Sequence, residues 1–214
     1  MIYTINTYPV GGHYPKVDWG GGNFPSPVAV TRASDGGAGS AGMHAGVPVD
    51  GSVLPKRIVW AEAVDNPPPD FDEMPVLNIS GRARAVMEEI EPDTHQFFPV
   101  DYVWPDGTQI ETRYWLIICN RLNAIDPLRS NLVMNQYNWY IPPKDAVRRK
   151  VPMPAHVDPA LPPKIVIDKS KADGRHFWRE KHTDSGMALM SDVAWKAIQD
   201  AGLTGLRPQA LEVS

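Results

Sequence analysis

The chain has 214 residues, 43% hydrophobic and 21% charged, which is enough for a substantial core in one ample domain or two small ones. With 21 Lys and Arg against 25 Asp and Glu, the net charge is −4, which disfavours a basic nucleic-acid binder. The single cysteine, Cys119, excludes an internal disulfide or an all-cysteine zinc site and fits a reducing compartment. No apolar run approaches the roughly 20 residues that cross a bilayer, and Met1 to Tyr8 lacks the basic start and apolar stretch of a signal peptide, so a cytoplasmic protein without membrane contact is expected.

Eleven of the 17 glycines lie in the first 54 residues, so residues 1–54 are expected to be a Gly/Pro-rich segment of loops around short strands at Ile2–Tyr8 and Val28–Thr31. A first α+β unit is expected over residues 55–141. It opens with a strand at Arg57–Trp60 and a stiff acidic connection, Asp65-Asn66-Pro67-Pro68-Pro69-Asp70. Ser80 is a predicted N-cap for a helix from Gly81 to Ile90. Ala83, Val86, Met87 and Ile90 make its apolar stripe, and Pro92 stops it. Strands at Phe97–Trp104 and Ile110–Cys119 are joined by the turn Pro105-Asp106-Gly107-Thr108. Tyr114 to Cys119 is apolar on both faces, which predicts a central strand and an inert Cys119. A proline-punctuated linker follows at 142–163, and then a C-terminal β-α-β unit at 164–214. This unit has strands at Lys164–Asp168, Arg175–Glu180 and Ala188–Met190, a helix from Asp192 to Ala201 capped by Ser191 and closed by Gly202, and a last strand near Leu206–Leu211. Ile79-Ser80 and Met190-Ser191 each precede a helix of about ten residues, either as a degenerate duplication or as one local solution reached twice. The fold class is α+β: a mainly antiparallel sheet, at least two helices packed on one side of it, and long Gly/Pro-rich loops.

Catalytic and cofactor motifs are weak. Residues Gly37 to Gly42 match the G-x-G-x-x-G dinucleotide pattern, but Gly46, Pro48, Gly51 and Pro55 follow where the phosphate-binding helix must begin. The six histidines form no i, i+4 helical pair. His95 near Asp93 and His176 near Asp173 are weak ligand pairs, better explained by local hydrogen bonding. There is no G-x-S-x-G elbow, and Ser80 and Ser191 read as helix caps. The carboxylates stand out instead. Residues 1–107 carry 6 basic and 14 acidic side chains, a net −8, while residues 108–214 carry 15 and 11, a net +4. Asp65, Asp70, Asp72 and Glu73 lie on one segment, and Glu88, Glu89, Glu91 and Asp93 crowd a helix C-terminus, where the dipole disfavours them. These eight residues are either a solvated acidic surface or a docking face for a basic protein.

Three elements in order carry a family resemblance. The first is Asp70-Phe71, Leu77-Asn78-Ile79-Ser80 and Glu91-Pro92-Asp93-Thr94-His95-Gln96-Phe97-Phe98-Pro99-Val100. The second is the Tyr114–Cys119 strand with Asn120-Arg121-Leu122-Asn123-Ala124-Ile125-Asp126. The third is Ile165-Val166-Ile167-Asp168-Lys169-Ser170, His176-Phe177-Trp178-Arg179, Leu189-Met190-Ser191 and Ala201-Gly202-Leu203-Thr204-Gly205-Leu206. Over residues 55–212 the chain resembles the bacterial immunity proteins of polymorphic toxin systems, in the myxobacterial-type immunity family. The resemblance implies a protein without cofactor or catalytic residues. Such a protein binds and neutralises a cognate toxin delivered between cells by a contact-dependent or type VI secretion route. The alternatives are an enzyme that reverses a toxin's modification, built around His95 or His176, and a structural module that accompanies a secretion component.

Overall fold

Short strands broken by proline and glycine can bury apolar surface only by pairing with distant partners, and the fold is assembled in that way. A computed structural model of the chain describes residues 1–7, 15–30, 42–62, 65–73, 76–135, 138–144, 147–148, 150, 152–183 and 186–214. In chain order the strands are β1 (Ile2–Thr4), β2 (Val17–Asp18), β3 (Arg57–Trp60), β4 (Phe71–Asp72) and β5 (Asn78–Ile79). Helix α1 (Gly81–Ile90) follows, then β6 (Gln96–Val103), β7 (Gln109–Ile117), β8 (Arg121–Leu122), β9 (Val133–Met134), β10 (Trp139–Tyr140) and β11 (Val166–Ile167). A 3-10 turn at Lys169–Ala172 leads to β12 (Phe177–Glu180), β13 (Ala188–Ser191), α2 (Asp192–Asp200) and β14 (Ala210–Val213). The class is α+β with mainly antiparallel pairing, although the strands form two six-stranded sheets and a small hairpin rather than one sheet.

The first sheet runs β2-β3-β6-β7-β5-β4. The apolar run Trp115–Ile117 is buried on both faces because β7 lies between β6 and β5. Pro99 is tolerated inside β6 because β3 pairs only with Asp101 to Val103, so its missing N–H has no partner strand to satisfy on that side. The second sheet runs β11-β14-β1-β13-β12-β8. Strand β1 is antiparallel to both of its neighbours, β13 and β14, so the start of the chain is internal to a sheet otherwise built largely from its end. The hairpin pairs β9 with β10.

Both helices begin as expected. Ser80 accepts from the Ala83 amide and Ser191 from the Ala194 amide, and Gly202 follows α2 at φ 62°. Ala83 and Met87 of α1 and Ala194 and Ile198 of α2 are buried in one cluster that also takes Phe71, Ile79 and Leu116 from the first sheet and Phe177 and Met190 from the second. A second cluster lies between Trp60, Tyr102 and Trp115 and receives Met43, Val49 and Leu54 from the glycine-rich segment. The Gln96 side chain fixes that segment by accepting from the Val49 amide at 2.8 Å and donating to its carbonyl at 3.2 Å. A third cluster joins Ile2, Ile125, Ile167, Trp178 and Leu189.

Several expectations shift. The first strand ends at Thr4, and Val28 and Ala29 make only isolated bridges, to Gly42 and Val49. Tyr8, Thr31 and most of the Gly37–Gly42 motif lie outside the described residues. The last strand begins at Ala210 rather than near Leu206, because Leu206 bridges Thr7 and Gly205 approaches the Phe71 backbone so closely that a Cβ there would overlap the Phe71 carbonyl. The proline-rich stretch is tied down where Asn131 accepts from the Asp158 amide and donates to the Asp158 and Pro162 carbonyls, each at 3.0 Å.

Candidate functional site

The eight carboxylates divide by burial. Asp70, Asp72 and Glu91 are buried, whereas Asp65, Glu73, Glu89 and Asp93 are exposed and Glu88 is about two-fifths exposed. Glu88 accepts two hydrogen bonds from Arg84 one turn earlier, at 2.9 and 3.0 Å, and Arg84 stacks over Tyr114 and Phe97. This pairing offsets part of the dipole penalty at the end of α1. Asp93 adopts a left-handed φ of 54°, a conformation that Asp tolerates better than most residues.

Asp70 and Glu91 clamp the two sheets together in a reciprocal pattern. Asp70, just before β4, accepts from Ser80 Oγ at 2.6 Å and from the Thr204 amide at 2.9 Å and hydroxyl at 3.2 Å, beyond the end of α2. Arg82 Nη1 stands 3.7 Å from the same carboxylate, and its Nη2 donates to the Ala201 carbonyl at the C-cap of α2. Glu91, the C-cap of α1, accepts from the His176 and Phe177 amides at the start of β12, at 2.9 and 3.0 Å, and from Asn120 Nδ2. Asp70, ahead of α1, thus ties the N-cap of that helix to the segment beyond α2, and Glu91, which ends α1, grips the start of β12. Burial pushes both carboxyls up, but the bonds they accept outweigh it and hold both below the ordinary carboxylate range.

His95 completes the Glu91 cluster. Its Nδ1 accepts from the Cys119 amide at 3.2 Å, so the ring proton sits on Nε2, which donates to Glu91 at 2.9 Å. His95 is buried, edge-on to Phe177, and reads as structural. His176 is half-buried and shares a 2.8 Å hydrogen bond with Ser191 Oγ, beside a cavity of about 210 Å³ that Asp173 also lines. The Ser191 hydroxyl already accepts from the Ala194 amide as a helix cap. Burial pushes the Cys119 thiol up to about 11, leaving it un-ionised near neutral pH. Among the described residues no group of three or more His, Cys, Asp or Glu could hold a metal ion, and no helix is long and apolar enough to cross a membrane.

Sequence reasoning missed a charged interior position. Arg179 in β12 is 4% exposed and lies at a cavity with His44, whose imidazole is lowered to about 4 by burial and by the guanidinium charge. No local spacing announces this pair, because the two residues come from opposite ends of the chain.

Residues 54–213 match the family described as Immunity protein family (Imm11). Comparison with curated proteins finds no match. The matched span takes in α1, α2, both carboxylate clamps and every strand from β3 to β14, and it excludes β1 and β2.

Proposed function

The chain belongs to the Imm11 immunity protein family, and from that premise we propose that it binds a cognate toxin of a bacterial interbacterial-competition system and neutralises it by direct contact, without chemistry of its own. The family match over residues 54–213 carries this reading. In the proposed setting the protein acts in the cytoplasm of the producing cell, against a toxin delivered by a contact-dependent or type VI route. Blocking a toxin needs a shaped, rigid surface, and the two clamps that fix the sheets supply rigidity of that kind.

The acidic docking face narrows to the accessible members of the original set: Asp65, Glu73, Glu88, Glu89 and Asp93. Glu88, Glu89 and Asp93 fall within one turn of the end of α1 and form its densest part. Exposed carboxylates of this kind raise the association rate with a basic cleft and select the partner, while buried anchors set the lifetime of the complex. Asp70, Asp72 and Glu91 drop out of the proposed contact surface because they are buried, and Asp70 and Glu91 are committed to the sheet clamps.

The test is co-expression with the toxin encoded in the adjacent reading frame. Rescue of poisoned cells, with a stable complex on gel filtration, is the expected outcome. If cells still die while the protein is soluble and folded, the reading fails. An enzymatic reversal of damage would instead rescue without a stable complex and would be lost on replacing His176, which lines a cavity, or His95.

A further inference from the structure

The guanidinium of Arg179 is buried with a donor to spare. Its Nη1 donates to the Gly186 carbonyl at 2.9 Å, whereas Nε finds no acceptor among the described residues. The Nδ1 of His44 is likewise buried without a partner among the described residues. Both side chains line one cavity of about 360 Å³, with Ile5 and Met187 as apolar wall and the exposed Glu73 on its lining. That volume lies within the roughly 300–1,000 Å³ of small-ligand sites. A buried cation with an unmet donor is expensive, and a carboxylate that accepts from the planar fork offsets the cost better than any neutral group.

The charges in the cavity restrict the ligand further. Burial lowers Arg179 to about 10, so it stays protonated near neutral pH, while His44 is neutral there. Glu73, whose negative charge reaches Arg179, repels a bare anion but attracts a cation beside one. We propose that this cavity binds a carboxylate with a cationic group next to it, with the Arg179 guanidinium taking the carboxylate and Glu73 facing the cation. Such a group is supplied either by a free amino acid or by neighbouring acidic and basic side chains on a partner's loop. The inference does not depend on toxin binding and is tested on the purified protein alone.

The readout is the ¹⁵N NMR signal of the Arg179 Nε–H, assigned by its loss in Arg179→Lys. Three probes are titrated: acetate, β-alanine and a capped Lys-Glu dipeptide. We expect a saturable shift with β-alanine or the dipeptide and binding of acetate about tenfold weaker, the value of one charge-assisted hydrogen bond. Tighter binding of β-alanine identifies a free amino acid as the source, and tighter binding of the dipeptide identifies a partner's side chains. Glu73→Gln, an exposed change that leaves the core intact, should erase the disadvantage of acetate. Arg179→Lys, which lacks that signal and is followed by calorimetry beside the unaltered protein, should weaken all binding about tenfold or more. No saturable shift with any probe, or acetate binding as tightly as β-alanine to the unaltered protein, overturns the proposal.

Discussion

Replacing Glu91 by alanine removes the acceptor for the His176 and Phe177 amides, the His95 ring and the Asn120 amide at once. Buried donors left unmet beside a lost charge cost on the order of 3 kcal/mol or more, so Glu91→Ala should show a clearly lowered urea midpoint. A midpoint equal to that of the parent would mean that the clamp contributes nothing. Titration gives a second handle. Asp70 and Glu91 have folded pKa values below their unfolded ones near 3.8 and 4.5. Their stabilisation is therefore complete above that range and disappears as pH falls through the folded values. His44, lowered from 6.5 to about 4, also favours the folded state more as pH rises across that window. Glu180 has the opposite sign. Burial raises this fully buried carboxyl from 4.5 to about 7, so its contribution falls as pH climbs through that interval and costs on the order of 3 kcal/mol above it. Glu180→Gln keeps an oxygen for the Ala124 amide and should raise the Tm at pH 8 while leaving it nearly unchanged at pH 4. A Tm lowered equally at both values would remove the titration argument.

At the scale of elements, the two serine caps have unequal roles. Ser191→Ala removes an acceptor for the Ala194 amide and the partner of the half-buried His176 ring, and should cost about 1–2 kcal/mol. Ser80→Ala also takes a hydroxyl donor from the buried Asp70, so about 1.5–3 kcal/mol more is at stake. Equal losses in a matched denaturation pair would show that Asp70 does not lean on Ser80. These helices were legible because their signals are local: a serine before the stripe, Pro92 or Gly202 after it. Strand β7 was legible for the same reason, since a run that is apolar on both faces can lie only inside a sheet. The sheet partners were not legible. Nothing in Ile2–Thr4 encodes pairing with Met190 or Leu211, and the bend at Gly205 that delays β14 arises from a contact with Phe71 more than a hundred residues away. The carboxylates were read by their number rather than their surroundings, so residues spent inside were counted with residues on show. The Arg179 cavity lacked a local signal altogether.

For the whole molecule, charge separation makes a measurable claim about encounter. Reversing Glu88 and Glu89 to lysine with Asp93→Asn, which respects the left-handed backbone at that position, should slow association with the proposed toxin partner about tenfold at low salt and flatten its salt dependence. Dissociation should change far less, and an unchanged association rate would eliminate the acidic end of α1 as a steering surface. The placement of β1 sets a different limit, one of timing. Ile2–Thr4 leave the ribosome well before the strands that flank them, at Ala188–Ser191 and Ala210–Val213. The second sheet therefore cannot close around β1 until β13 and β14 have been made, and the nascent chain carries an unfinished edge until then. A copy cut short before Ala188 leaves β1 with neither of its neighbours, and in the proposed role such a fragment would give no protection.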